Sequence, residues 1–274
     1  MSNHPWTLND SEYVQYTNSS LASQGIRSKV KALPSRRGIP RFVLYDRVSG
    51  LSRYWSFKLQ GLGFAKGLEF VSQRISSSYH IHLIRFWPGD IVYDVGANSG
   101  DLELYFRLHN IDIKYIGIEP APEEFVSLSH NLKGVSTALC TNIALAESDG
   151  IIKDLYLSPD SGDNSLIKPP CYKSIHSVRT RRLDSLHKEL FSSSKGIRLI
   201  KLEAEGYEPE ICKGMEKILD VTEYISADLG WERGESLETT APEVINFLLG
   251  KGFEILAIGR ERLTVLFKNK KLAC

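Results

Sequence analysis

From about Asp90 to the C-terminus, short apolar, β-branched runs alternate with segments whose apolar residues recur every three or four positions. That alternation is the signature of a mostly parallel sheet with helices on both faces. The strand-like runs are "DIVYDVG", "KYIGIEP", "STALCTNIAL", "IRLIKLEAE", "EYISADLG", "FEILAIG" and "LTVLFK". Helical segments fall between them at "DLELYFRLHN", "APEEFVSLSHNL", "TRRLDSLHKELF", "YEPEICKGMEKIL" and "APEVINFLLGKG". The last two runs are joined by the short "RER" turn with no helix, which predicts that the sheet ends in an antiparallel hairpin. The pattern therefore gives an α/β fold, a doubly wound, mostly parallel sheet with a C-terminal antiparallel hairpin.

Upstream of Asp90 the pattern weakens. "IRSKVKALPSRRGIPR" is basic and broken by prolines, and "GLGFAKGLEFVSQRI" reads as one amphipathic helix. Residues 1–85 are taken as an N-terminal extension, with an acceptor-binding or oligomerising role open to it. No internal repeat or low-complexity tract is visible.

The stretch "IVYDVGANSGD" carries the first chemical signal. A buried run stops abruptly at Gly96-Ala97-Asn98-Ser99-Gly100, and "LELYFRL" then opens a helix. In an open α/β sheet, ligands bind at the carboxyl ends of strands, where glycine admits a backbone and a helix N-terminus offers free N–H groups. Gly96 and Gly100 enclose "ANS" with no middle glycine, so a nicotinamide cofactor's pyrophosphate would lose its usual close approach. An amino-acid carboxylate and a ribose fit better. Glu119-Pro120 ends the second strand roughly 20 residues later, where a doubly wound fold places the acid that holds a ribose.

Bulk properties narrow the classes. A chain of 274 residues accommodates one core domain plus an extension. Hydrophobic residues at 42% and charged residues at 24% are globular values, and no apolar run approaches the ~20 residues that span a bilayer. The N-terminus lacks the basic start and apolar centre of a secretory signal. Cys140, Cys171, Cys212 and Cys274 form no CxxC pair, which suits reduced thiols in a cytoplasm better than a disulfide frame or zinc site. A net charge of +1 argues against bulk nucleic-acid binding.

Taken in order, "DVGANSGD", "GIEPAPEEFVSLSHNL", "IALAESDG", "LYLSPDSGDNSL", "RRLDSL" and "IKLEAEGYEPEICKGM" resemble the FkbM family of S-adenosylmethionine-dependent methyltransferases. The resemblance runs from about Pro88 to Leu229. It implies a class I methyltransferase (Rossmann-like) domain over residues 86–270, S-adenosylmethionine as cofactor, and O-methylation of a hydroxyl on a sugar, a glycan or another small-molecule acceptor. By the same resemblance Asp94, Gly96, Asn98 and Gly100 line the methionine end of the cofactor, Glu119 takes both ribose hydroxyls, and Asn142 and Ile143 lie beside the adenine. One position departs from the family: its usual "KIDVEG" is Lys201-Leu202-Glu203-Ala204-Glu205-Gly206 here, so Glu203 replaces an Asp.

The catalytic candidates are Glu203, Glu205 and Asp228. Alternate residues on a strand share a face, so Lys201, Glu203 and Glu205 are expected to point the same way. Crowded carboxylates beside a cleft can act as a base or hold a hard divalent ion, and a metal requirement stays open. One of the two glutamates could instead cap the following helix. Asp228 should reach the same rim. In "SPDSGDNSL", Asp160, Asp163 and Asn164 could contact an acceptor or form an exposed turn, and His176 is the histidine nearest the acceptor side. Arg27, Lys29, Lys31, Arg36, Arg37 and Arg41 gather in one span that is either a solvated linker or an attraction for an anionic acceptor. A homo-oligomer is open. The rival readings are a methyltransferase-like module that binds cofactor without turnover and a nicotinamide-dependent oxidoreductase, the latter disfavoured by the missing glycine and the terminal hairpin.

Overall fold

The computed structural model describes residues 4–159 and 162–272. The N-terminal region carries its own sheet and core. Helix α1 (Asp10–Ser23) starts at a capping box, in which the Asn9 side chain accepts the Glu12 N–H and the Glu12 carboxylate accepts the Asn9 N–H. Strands β1 (Ser28–Ala32), β2 (Phe42–Asp46) and β3 (Ser52–Trp55) form an antiparallel sheet in that order. Tyr13 and Leu21 of α1 pack on Val30, Phe42, Leu44, Trp55 and Phe64. The single helix expected over residues 61–75 is two elements, a 3-10 segment (Gln60–Lys66) and α2 (Leu68–Ser78). Gly67 between them has φ +89°, a conformation that no helix continues through.

The second unit begins with β4 (Asp90–Val95), α3 (Asp101–Leu108), β5 (Ile113–Ile118), α4 (Pro122–Asn131) and β6 (Ala138–Thr141). A small sheet follows from β7 (Ala144–Leu145), β8 (Ile152–Leu157) and β9 (Ser174–Arg181). Then come α5 (Leu183–Leu190), β10 (Ile197–Leu202), α6 (Glu208–Gly214) and β11 (Thr222–Asp228). The hairpin β12 (Trp231–Arg233) and β13 (Glu238–Thr239), helix α7 (Ala241–Gly250), β14 (Phe253–Ile258) and β15 (Thr264–Asn269) complete it.

Seven strands make the central sheet in the order β14-β15-β11-β10-β4-β5-β6. Pairing is parallel from β6 through β11, and β15 lies antiparallel between β11 and β14. The expected terminal hairpin is therefore present. The middle of the sheet is covered on both faces, which explains why Ile91, Val92 and Tyr93 of β4 are apolar in succession. Ile91, Tyr93 and Val95 face one core with Ile200, Leu202 and Phe267. Val92, between them, faces the other core with Leu199, Leu102 and Leu128. Strand order reverses between β4 and β10, and at such a switch point a crevice opens beyond the carboxyl ends of the strands.

Three local expectations are corrected. "STALCTNIAL" is not one strand, because β6 belongs to the main sheet while β7 pairs with β9 in the small one. The β8–β9 ladder was not legible because β9 buries only Val178 and Thr180, so its apolar alternation is nearly silent. "YEPEICKGMEKIL" is α6 followed by a 3-10 turn (Glu216–Val221) rather than one helix.

The two units are stitched together. Asn131 of α4 accepts the Tyr54 N–H at 2.7 Å and donates to the Tyr54 carbonyl at 2.9 Å. Leu104 of α3 completes the N-terminal core.

Candidate cofactor and acceptor site

The loop after β4 is fixed by close approach. At Gly96 (φ +70°) a Cβ would stand 1.9 Å from the Glu203 carbonyl oxygen, so no other residue fits without displacing the end of β10. Asn98 also adopts a left-handed conformation, at φ +50°. Its N–H donates to Glu119 Oε2 at 2.8 Å, and its side-chain oxygen accepts from Gln60 Nε2 at 2.9 Å. Glu119, at the end of β5, is 5% exposed and also accepts the Ala121 N–H at 2.8 Å. Burial and the neighbouring Glu124 push its pKa up to about 8.

A second group lies across the switch point on β10. Lys201 is buried, with Nζ 3.1 Å from Asp94 Oδ1 and 2.9 Å from Glu203 Oε2, and it donates to the Gly96 carbonyl at 2.7 Å. Tyr115 donates to the other Asp94 oxygen at 2.6 Å. Burial alone would lower the Lys201 ammonium, yet the two carboxylates hold it above its usual range. Burial works against the Glu203 carboxylate too, but Lys201 and Arg262 bring it down to about 2. Arg262 reaches Glu203 Oε1 at 2.9 Å and also pairs with Asp228. Burial outweighs that partner and raises the Asp228 pKa.

These groups surround one cavity of about 820 Å³. Asp94, Gly96, Asn98, Glu119, Ile143, Glu203 and Glu205 line it. Three other predicted residues do not. Gly100 sits behind the loop at the start of α3, where its φ of +86° and the proximity of Leu128 demand glycine. Asn142 ties the ends of two strands by donating to the Glu119 and Pro120 carbonyls at 2.8 and 2.9 Å. Asp228 lies behind Arg262. Asp163 and Asn164 line the cavity, Asn164 donating to Glu124 at 2.8 Å, whereas Asp160 lies outside the described residues. His176 is exposed on β9 and takes no part in the cavity.

The expected alternation holds for Lys201 and Glu203 only. Strand β10 stops at Leu202, and Glu205 falls in the following turn with φ +48°. Its carboxylate has no hydrogen-bond or ion-pair partner among the described residues, and burial with Glu232 and Glu203 nearby pushes its pKa up to about 10. The helix-entry role goes to Glu208, which accepts the Ala204 and Gly206 N–H groups at 2.8 and 3.3 Å. Burial raises Glu208 to about 7.

Gln60, Tyr79 and Arg262 also line the cavity and were not foreseen. The first two come from the extension, where no motif marked them. Arg262 stands in the "RER" turn, read for topology alone. Among the described residues no group of three or more His, Cys, Asp or Glu is placed to hold a metal ion. Cys140, Cys171 and Cys212 are free thiols, and Cys274 lies outside the described residues. Within the described residues no helix is long and apolar enough to cross a membrane.

A doubly wound sheet closed by an antiparallel hairpin, with a glycine loop after β4 and a buried acid after β5, defines a class I, Rossmann-like methyltransferase domain. The Methyltransferase FkbM domain matches residues 94–255, more than half of the chain, and the chain belongs to that family of S-adenosylmethionine-dependent methyltransferases. It is similar to methyltransferase sdnD of Sordaria araneosa, with 24% identity over 228 residues, 68% of this chain and 82% of that protein. A shorter likeness, 40% over 53 residues, covers 19% of this chain and 20% of the 31-O-demethyl-FK506 methyltransferase FkbM of Streptomyces tacrolimicus. Among solved structures, Aeropyrum pernix fibrillarin with natively bound S-adenosyl-L-methionine shares 12% identity over 87% of this chain and 96% of its own, with a TM-score of 0.44.

Proposed function

We propose that this protein transfers the methyl group of S-adenosylmethionine to a hydroxyl oxygen, on a sugar, a glycan or another hydroxyl-bearing small molecule. One observation carries the reading: the unpartnered Glu205 carboxylate faces the same cavity as the Asn98 loop and Glu119. The name of the Streptomyces tacrolimicus relative, a 31-O-demethyl-FK506 methyltransferase, supports an oxygen acceptor.

The residues present fit the cofactor. Gly96 lets the loop after β4 pack directly against the Glu203 carbonyl, where a Cβ would collide, and so keeps its backbone on the cavity wall, and Glu119 offers two carboxylate oxygens for a ribose diol in charge-assisted bonds. Asp94 and Asn98 flank the methionine end in this assignment, and Ile143 gives the adenine an apolar wall. Gly100 and Asn142 shape the walls from behind. When bound, the cofactor supplies a methyl group already activated on a sulfonium. The chain's task is then to align the acceptor oxygen, exclude water and take one proton. Glu205 is the proton acceptor: its raised pKa makes it a strong base once ionised, and a positive charge brought into the cavity favours that ionised form. Glu203 and Asp228 act through Arg262, holding its guanidinium at the rim. Leu59, Gln60 and Tyr79 give residues 1–85 a share in the acceptor side. The free thiols support a reducing compartment such as the cytoplasm.

The test is mass spectrometry of hydroxyl-bearing glycans and small molecules incubated with the full-length protein and S-adenosylmethionine. A gain of one methyl on oxygen, lost about 10²- to 10⁴-fold in turnover with Glu205→Gln while adenosylhomocysteine affinity is kept, supports the reading. Methylation at nitrogen or carbon, or full turnover by the variant, overturns it.

A further inference from the structure

A second concavity of about 930 Å³ lies where the N-terminal unit meets the start of α4. Its cationic wall comes from Arg36, Arg37, Arg41, Lys58 and Lys173, set, among the described residues, against the carboxylates of Asp10 and Glu123. Asp10 is fully engaged. It receives two hydrogen bonds from Arg41, at 2.8 and 2.6 Å, and stands 3.2 Å from Lys58 Nζ. Arg36, Arg37 and Lys173 have no carboxylate partner among the described residues and are exposed. Three unpaired cations on one wall create a field that a surface with balanced charge would not sustain. The chain as a whole carries only +1, so this concentration is local.

The groove is also next to the reaction site. Leu59 lines both the groove and the 820 Å³ cavity, and its neighbour Gln60 holds Asn98 in the cofactor loop. On the other side Pro159 lines the groove while Gly162 and Asn164 line the cavity. The two concavities therefore adjoin at Leu59. Trp6, 38% exposed, and Phe57 add ring faces to the cationic wall, a combination suited to a polar group with an attached anion. Arg27, Lys29 and Lys31 of the same basic span are not part of the groove.

We propose that this groove is an anion subsite for the acceptor, binding the phosphate or pyrophosphate of a phosphorylated small molecule whose hydroxyl enters the neighbouring cavity. Guanidinium groups suit this ligand because their planar fork matches two phosphate oxygens at once. The proposal rests on the methyltransferase reading of the cavity, but its test is separate from it.

The experiment is calorimetric titration of the full-length protein with inorganic pyrophosphate in metal-free, low-salt buffer. The same preparations are titrated with adenosylhomocysteine, and vesicles of pure phosphatidylglycerol are tested by co-sedimentation. Pyrophosphate should bind the wild type, and R36A/R37A and K173A should each weaken it at least fivefold while adenosylhomocysteine affinity stays within twofold. The wild-type pyrophosphate affinity should fall as salt rises. Absent pyrophosphate binding, or equal binding by wild type and both variants, overturns the subsite. Vesicle binding without pyrophosphate binding would assign the wall to a lipid surface and overturns it as well. Loss of adenosylhomocysteine binding in the wild type would sink the cofactor reading instead, whatever the groove does.

Discussion

Arg53 of the N-terminal sheet donates from Nη2 to the Ser99 carbonyl at 2.7 Å, so the glycine loop after β4 is held by a residue 46 positions upstream. The guanidinium is 1% exposed and lies 3.3 Å from Asp101 and 3.6 Å from Glu103. Asn131 donates to the same carbonyl at 2.8 Å. The left-handed turn at Asn98 and Gly100 is thus maintained by two independent donors. Removing the charge with Arg53→Met takes away one of two guanidinium groups beside Glu103, the other being Arg107 at 2.7 Å, together with one of the two donors to the Ser99 carbonyl, and should cost about 1 to 3 kcal/mol of stability by chemical denaturation. Arg53→Lys keeps the charge but loses the fork. It should raise the Michaelis constant for S-adenosylmethionine more than it lowers kcat, and an unchanged constant would show that Asn131 suffices.

If Glu119 takes the ribose diol as proposed, cofactor affinity should depend on pH. The Glu119 pKa of about 8 means that the carboxyl is mostly protonated at neutral pH, while a ribose diol is best accepted by the carboxylate. Binding should therefore release a proton, and adenosylhomocysteine affinity should climb as pH rises from 6 towards 8.5, by at most about tenfold per unit. Glu124 is buried nearby and raised to about 7, so Glu124→Gln should move the climb to lower pH. Glu119→Gln should flatten the profile and weaken binding by about 2 to 4 kcal/mol. A flat wild-type profile would place the ribose elsewhere.

Stability should fall, not rise, on going from mildly acidic to mildly alkaline pH. Glu119, Glu124, Glu205, Glu208 and Glu232 all have pKa values raised above 4.5 by burial. Between pH 4.5 and 8 the folded chain holds protons that the unfolded chain has released, so each step up in pH favours unfolding. Glu203 has the opposite sign: its contribution is complete above 4.5 and is lost as pH falls towards 2. The melting temperature of the cofactor-free protein should accordingly be higher at pH 5.5 than at pH 8. A melting temperature that rises steadily to pH 8 would contradict the upward shift of these buried carboxyl groups.

The inner strands of the central sheet were legible because both their faces are covered, so they announce themselves by successive apolar residues such as Ile91, Val92 and Tyr93. Gly96 and Glu119 were legible for a different reason, since close backbone approach and a strand-end acid leave fixed residue types at fixed spacing. Strands β1 to β3 were hidden among prolines and basic residues, where exposed positions outnumber buried ones. Long-range partners leave no local trace at all. Nothing near Arg53 in sequence points to Ser99, and nothing near Arg262 points to Glu203. Glu205 lines the cavity, but the strand's alternation does not put it there; the turn does.

The basic span invites deletion of residues 1–41 as though it were a dispensable tail, and the packing argues against that. The deletion removes α1 and β1, and with them Tyr13, Leu21 and Val30, each at most 1% exposed. Burial of such side chains contributes about 1.5 to 3 kcal/mol each, so their joint loss rivals the net stability of a typical domain. Trp55 and Phe42 would be uncovered, and β3, which carries Arg53, would keep β2 as its neighbour but lose the α1 side of its core. The truncated protein should therefore show red-shifted tryptophan fluorescence, a lower melting temperature and weakened adenosylhomocysteine binding through the released Ser99 carbonyl. Native-like melting with full cofactor affinity would show instead that the methyltransferase unit holds its own loop and that the N-terminal sheet serves the acceptor alone.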